Sequence, residues 1–225
     1  MIRLISAALP RFALFLLALI PVLIGAAILI SLQRGDLNTF SDPADLVRRA
    51  SYPWAVIGHI LGGSAMLMLG FSQFSARLRR AVPRLHRWVG RLLVLAGSYF
   101  ALSGLWMNAS ATAQDDSVLY DAGQNLFAVL FLVILALGVR AIRQGRVAVH
   151  RAWMMRAYAI TLGAATQTVM LLPVFLIFGP PTGLVADFAF LSGWVINLAV
   201  AELLIRRVRF ATLWPGNATL APTRP

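Results

Sequence analysis

The sequence contains three histidines and no cysteine, and two of the histidines stand in matching settings. His86 is followed by Arg87 and then Arg91, and His150 by Arg151 and then Arg156. A neutral imidazole is a nitrogen donor near pH 7, and facing imidazoles on a helical bundle can hold a haem iron from above and below. His86 and His150 are therefore candidate ligands of one b-type haem. Guanidinium forks suit the two propionates of such a group, which makes Arg87, Arg91, Arg151 and Arg156 their candidate partners. Gly90, Gly97 and Gly104 recur every seventh residue and would leave a stripe free of side chains, where a porphyrin or another helix could lie. A plainer reading needs no cofactor: imidazole and guanidinium groups at headgroup level stay wet by snorkelling.

Other polar residues fall inside apolar stretches. His59 lies early in one of them, and Gln124 occupies the corresponding place in a later one, so the pair could hydrogen-bond across a bundle. Glu202 is an acid within a span; Arg206 follows four residues later, and Arg156 and Arg91 are alternative partners. Gln167 and Asn197 are expected to bridge helices. No carboxylate or thiolate shares the depth of His86 and His150, so no metal other than a haem iron is expected. No nucleotide-binding loop, Ser-His-Asp set or metalloprotease motif is present, and no residue is assigned a catalytic role.

These residues must be positioned by elements that live in lipid. Hydrophobic residues make up 60% of the 225, and charged residues only 12%, a balance outside the range of ordinary soluble domains. Six apolar stretches, at about 9–32, 54–74, 88–107, 122–139, 152–178 and 184–205, each have the ~20 residues needed to cross ~30 Å of hydrocarbon. The first exceeds a signal-peptide core in length and is read as a retained helix. The predicted fold is thus an all-α polytopic bundle of six transmembrane helices.

The formal charge is +12, and every basic residue other than histidine is arginine. The arginines gather in alternate links: around residues 77–87, around 140–151 and after 205, whereas the link at 108–120 carries Asp115 and Asp116. By the positive-inside bias both termini and the arginine-rich links are cytoplasmic, facing anionic lipid headgroups rather than nucleic acid. Arg34, Arg48 and Arg49 lie in an outer link, where Asp42-Pro43 marks the start of a short surface helix reaching Ala50. The organisation read from this pattern is a first helix and outer loop (1–53), a five-helix membrane domain (54–207) and a cytoplasmic tail (208–225).

The second and third spans also overlay the fourth and fifth. Gly58-His59 falls near Gly123-Gln124, Arg79 on Arg143, and His86-Arg87 on His150-Arg151. One hairpin used twice, in parallel orientation, would form a central four-helix core.

The strings HILGGSAMLMLGFSQFSARLRRAVPRLHRWVGRLLVLAG, VHRAWMMRAYAITLGAATQ and WVINLAVAELLIRR resemble a family of predicted bacterial membrane proteins with a domain of unassigned function, over about residues 54–207. The resemblance implies a fold and a bacterial inner membrane, and brings no reaction with it. More distantly, the histidine spacing looks like that of di-haem transmembrane b-type cytochromes, in which four histidines from four successive helices hold two haems. His59, His86 and His150 have counterparts there; Gln124 departs from the pattern, which leaves one haem site and no complete electron path across the bilayer. The readings open from sequence are a haem b electron-transfer protein, a transporter or channel component, and a structural or assembly subunit. The topology has a direct check: a periplasmic-type reporter fused at Asn108 should be active and one fused at Gln144 silent, and the reverse pattern would overturn the orientation.

Overall fold

The computed structural model describes the backbone of residues 2–34, 52–110, 117–179 and 183–213, with side chains from residue 14 to residue 207 within those limits. All regular structure among the described residues is helical: α1 (Ile2–Arg34), α2 (Pro53–Gln73), α3 (Ala76–Ala81), α4 (Pro83–Ala109), α5 (Val118–Arg143), α6 (Val147–Phe178) and α7 (Gly183–Leu213). Six of them contain spans long and apolar enough to cross a membrane. Hydrocarbon offers backbone N–H and C=O groups no partner, and an α-helix satisfies them within one segment. The chain is a multi-pass integral membrane protein. The surface helix expected at 42–50 lies outside the described residues, as do Asp115, Asp116 and the tail beyond 213.

Local signals set the helix ends. Pro53 and Pro83 occupy first positions, where no N–H is needed. The Ser117 hydroxyl accepts from the Leu119 amide at the start of α5. Gly145, at φ 71°, makes the turn from α5 into α6, a left-handed conformation that favours glycine. Helices α4 and α6 begin several residues before their apolar stretches, because a helix can continue into the headgroup layer where arginine side chains reach water. His86 and His150 consequently fall in first turns, and each amide closes a first i→i−4 bond, to Val82 O at 3.2 Å and Arg146 O at 2.9 Å. The two histidines thus hold the same register in their helices. Between α2 and α4 the basic link forms α3, capped by the Ser75 hydroxyl accepting from Leu78 N, which the sequence pattern did not signal. Helices α1 and α6 run on through Pro21 and Pro173, so neither proline breaks its helix.

Helices α2, α4, α5 and α6 close into a ring, α2 against α4, α4 against α5, α5 against α6, and α6 back against α2. This is the four-helix core expected from the repeat. Helix α1 lies against α2 and α6, and α7 against α6 and α5. The ring interior is filled by Met66, Leu93, Phe131, Ile134, Leu135 and Ile160, while Leu95 is 70% exposed and Leu176 73%. Large apolar side chains facing outward are what a lipid-solvated surface requires.

Lipid tails are as apolar as leucine, so helices associate through close packing rather than escape from water. Gly58 and Gly62 provide a small-residue face on α2, and a Cβ added at Gly62 would stand 2.6 Å from the Ala96 carbonyl oxygen on α4. Gly90 is different, since an added Cβ would meet only the Gln73 amide oxygen at 3.5 Å. Gly62→Ala should therefore cost about 1–3 kcal/mol, seen as a lower unfolding midpoint in detergent. Gly90→Ala should leave the midpoint nearly unchanged; equal effects would count against the α2–α4 register.

Candidate functional site

The polar side chains within the bundle concentrate on contacts between neighbouring helices. His150 Nδ1 donates to the Gly138 carbonyl of α5 at 2.9 Å. Gly138 permits this approach, because α6 packs Trp153 and Met154 directly over it. A ring whose Nδ1 carries the proton has Nε2 as its lone-pair nitrogen, the arrangement that orients an imidazole toward a ligand. His86 is half-buried on α4, and its Nδ1 is buried with no hydrogen-bond partner. The two imidazoles, each in the first turn of its helix, stand at the same arginine-rich end.

Four arginines were expected near a haem, and they separate in the structure. Arg156 is committed to Glu202 of α7: Nε donates to Oε1, and Nη2 donates to Oε2 at 3.0 Å. Its guanidinium also lies 4.6 Å from the Trp153 ring centroid. Among the three possible partners for Glu202, packing of α6 on α7 selects Arg156. The geometry is a bidentate fork, the form in which guanidinium and carboxylate bind best. Arg91 lies 5.4 Å from the ring centroid of Trp88, and Arg87 and Arg151 are exposed.

The glycine stripe of α4 does not form an open slot. Cβ atoms added at Gly97 would stand 3.2 Å from Leu135, Met66 and Phe131 side-chain atoms, and at Gly104 would stand 3.3 Å from His59 Cε1. Neighbouring side chains occupy the stripe, which corrects its reading as a porphyrin seat: its lower two-thirds seats other helices. Only Gly90, nearest the arginine-rich end, lacks a close side-chain contact. A cavity of about 490 Å³ does lie between α4 and α5, lined in part by Val94, Leu132 and Arg140, and neither histidine lines it.

His59 does not make the expected bond to Gln124. Its Nδ1 donates to the Phe100 carbonyl at 3.0 Å, and its ring lies 4.3 Å from that of Phe100. Close packing of α2 on α4 places it there, with Gly104 leaving the room. Gln124 is half-buried near the start of α5. On the other side of the ring, Gln167 Nε2 donates to the Phe190 carbonyl at 2.6 Å, and Thr166 donates to Asn197 Oδ1 at 3.1 Å, so both amides join α6 to α7. Asn197 Nδ2 is buried without a partner.

Some contacts were not legible beforehand. The Tyr158 hydroxyl donates to the Leu67 carbonyl at 3.2 Å and ties α6 to α2, and Asp187 is only 5% exposed near the start of α7. Tyr158 lay in an apolar run with nothing to distinguish a packing ring from a donor. Among the described residues no three His, Cys, Asp or Glu side chains form a group that could hold a metal ion.

A family model described as "Predicted membrane protein (DUF2306)" matches residues 56–205. No curated protein matches, and no solved structure matches, so the cytochrome resemblance rests on histidine spacing alone.

The Arg156–Glu202 fork is partly buried, with side chains 21% and 37% exposed, and removing the carboxylate strands the guanidinium. Glu202→Ala should lower stability by about 1–3 kcal/mol. The double variant Arg156→Met/Glu202→Leu should lose less than the sum of the single changes. Additive losses in a detergent unfolding cycle would show that the two side chains do not act as a pair.

Proposed function

Because the chain belongs to this family of predicted membrane proteins, whose description carries no activity, we propose its function from the site: the His86–His150 pair is a two-imidazole ligand site at the arginine-rich end, and its ligand is one b-type haem serving electron transfer. The observation that carries this reading is the His150 Nδ1 bond to the Gly138 carbonyl, which leaves Nε2 as the donor atom in the same helical register as His86. The buried, unpartnered Nδ1 of His86 is a second support, because a buried polar atom without a partner calls for an explanation.

The donor set fits a haem iron, and the cradle first expected for the ring does not. Gly97 and Gly104 are covered by side chains, so no ring position along that part of α4 belongs to the proposal. Of the four candidate guanidinium groups, Arg87, Arg91 and Arg151 have no carboxylate partner among the described residues, and Arg156 is withdrawn from that role by Glu202. When bound, the group would supply one-electron chemistry, and the protein would set its potential through axial nitrogen and burial. The chain is assigned to a bacterial inner membrane on the same footing, with its arginine-rich end cytoplasmic.

The filled glycine stripe favours a second reading, in which His86 and His150 are headgroup-level structural residues and the protein is a structural or assembly subunit. A transporter reading finds less support. Gln167 and Glu202 are engaged in helix-to-helix bonds, and the proline-containing helices are continuous, whereas transporter sites are typically built on interrupted helices.

Visible spectra of the protein purified from haem-replete cells separate the two. The haem reading expects sharp low-spin bands on dithionite reduction that are lost in His86→Ala and in His150→Ala, with the protein still monodisperse. A colourless wild-type preparation that also takes up no added haemin would leave the structural reading.

A further inference from the structure

The arginine-rich end carries a second feature that the imidazole pair does not use. Between α4 and α5 the surface opens into a groove of about 490 Å³, within the ~300–1,000 Å³ common for small-ligand sites. Its walls are Val94 from α4 with Leu132, Leu135 and Val139 from α5, and its mouth is formed by Arg140 and Arg143. Along α5, Leu132 to Arg143 covers roughly 17 Å at 1.5 Å per residue, about half of the hydrocarbon thickness. The groove therefore begins among the headgroups and ends near mid-bilayer, within a single leaflet.

Its chemistry changes along its length in the same way as that of a phospholipid. The deep part is aliphatic apart from the Ser98 hydroxyl, and the mouth presents two exposed guanidinium groups with no carboxylate partner among the described residues. Both lie in the last turn of α5, where a cation also meets the negative end of the helix dipole. That term is satisfied by charge alone and does not require a groove beneath. A guanidinium fork binds a phosphate diester with charge-assisted hydrogen bonds, and a basic site between transmembrane helices on the cytoplasmic side suits an anionic headgroup. We infer that the α4–α5 groove is a binding site for one anionic phospholipid, an acyl chain lying between Val94 and Leu132 and the phosphate held by Arg140 and Arg143.

The site is independent of the haem proposal, since neither His86 nor His150 lines it. Delipidated protein in detergent would be titrated with phosphatidylglycerol or phosphatidylcholine of the same chains and followed by native mass spectrometry. The expected result is one phosphatidylglycerol retained at least tenfold more strongly than phosphatidylcholine. Arg140→Gln/Arg143→Gln should abolish that preference while leaving weak binding of both lipids. Ala136→Trp, a lipid-exposed position that also lines the groove, should reduce retention of both lipids by filling the aliphatic part. Arg79→Gln/Arg80→Gln on α3 should retain the preference. Equal retention of the two lipids by the wild type, undiminished preference in the Arg140/Arg143 variant, or unchanged retention in Ala136→Trp would each overturn the assignment.

Discussion

A bilayer interior contains nothing that can accept or donate a hydrogen bond, and that deficit shapes this protein at every level. Backbone groups retreat into helices, and several polar side chains placed between the helices find partners on a neighbouring one. His59 uses the Phe100 carbonyl, Tyr158 the Leu67 carbonyl, His150 the Gly138 carbonyl and Gln167 the Phe190 carbonyl. These bonds tie α2 to α4, α6 to α2, α5 to α6, and α6 to α7. Helix α6 takes part in three of the four, and it is also the helix that carries Arg156 toward Glu202. It acts as the hub of the bundle because its polar groups are distributed around its circumference.

The same solvent removes the usual driving force for helix association, so contact depends on how closely backbones approach. Gly62 against Ala96 and Gly138 under Met154 are two such approaches. The second has a chemical consequence. By admitting α6 so close, Gly138 exposes its carbonyl to His150 and decides which imidazole nitrogen is spent on structure. A packing residue thereby determines what the histidine has left to offer a ligand.

The arginine-rich end concentrates most of the remaining reactive potential, divided between separate places. His86 and His150 stand in the first turns of α4 and α6, and the Arg156–Glu202 fork joins α6 to α7. Arg140 and Arg143 instead stand over an outward groove in contact with lipid. Separate guanidinium groups therefore do different work: one is neutralised inside the protein, while others remain available to phosphate or propionate. Treating all the arginines as one positive field would miss that division.

Much of the architecture was legible before any coordinates. The six spans follow from length and hydropathy, which are properties of consecutive residues, and the matched His-Arg elements placed both histidines at the start of a helix. The equal register of His86 and His150 needed only their distance from a helix start. Rotation and depth of one helix against another are different quantities, set by many side chains at once. They gave Glu202 to Arg156 rather than Arg206, turned His59 toward Phe100 rather than Gln124, and laid Leu135, Met66 and Phe131 across Gly97. Sequence by itself determined that this chain crosses a membrane as a bundle with its arginines segregated. Only the tertiary structure decided which polar groups meet and where space remains, because those depend on distances between residues that no local pattern encodes.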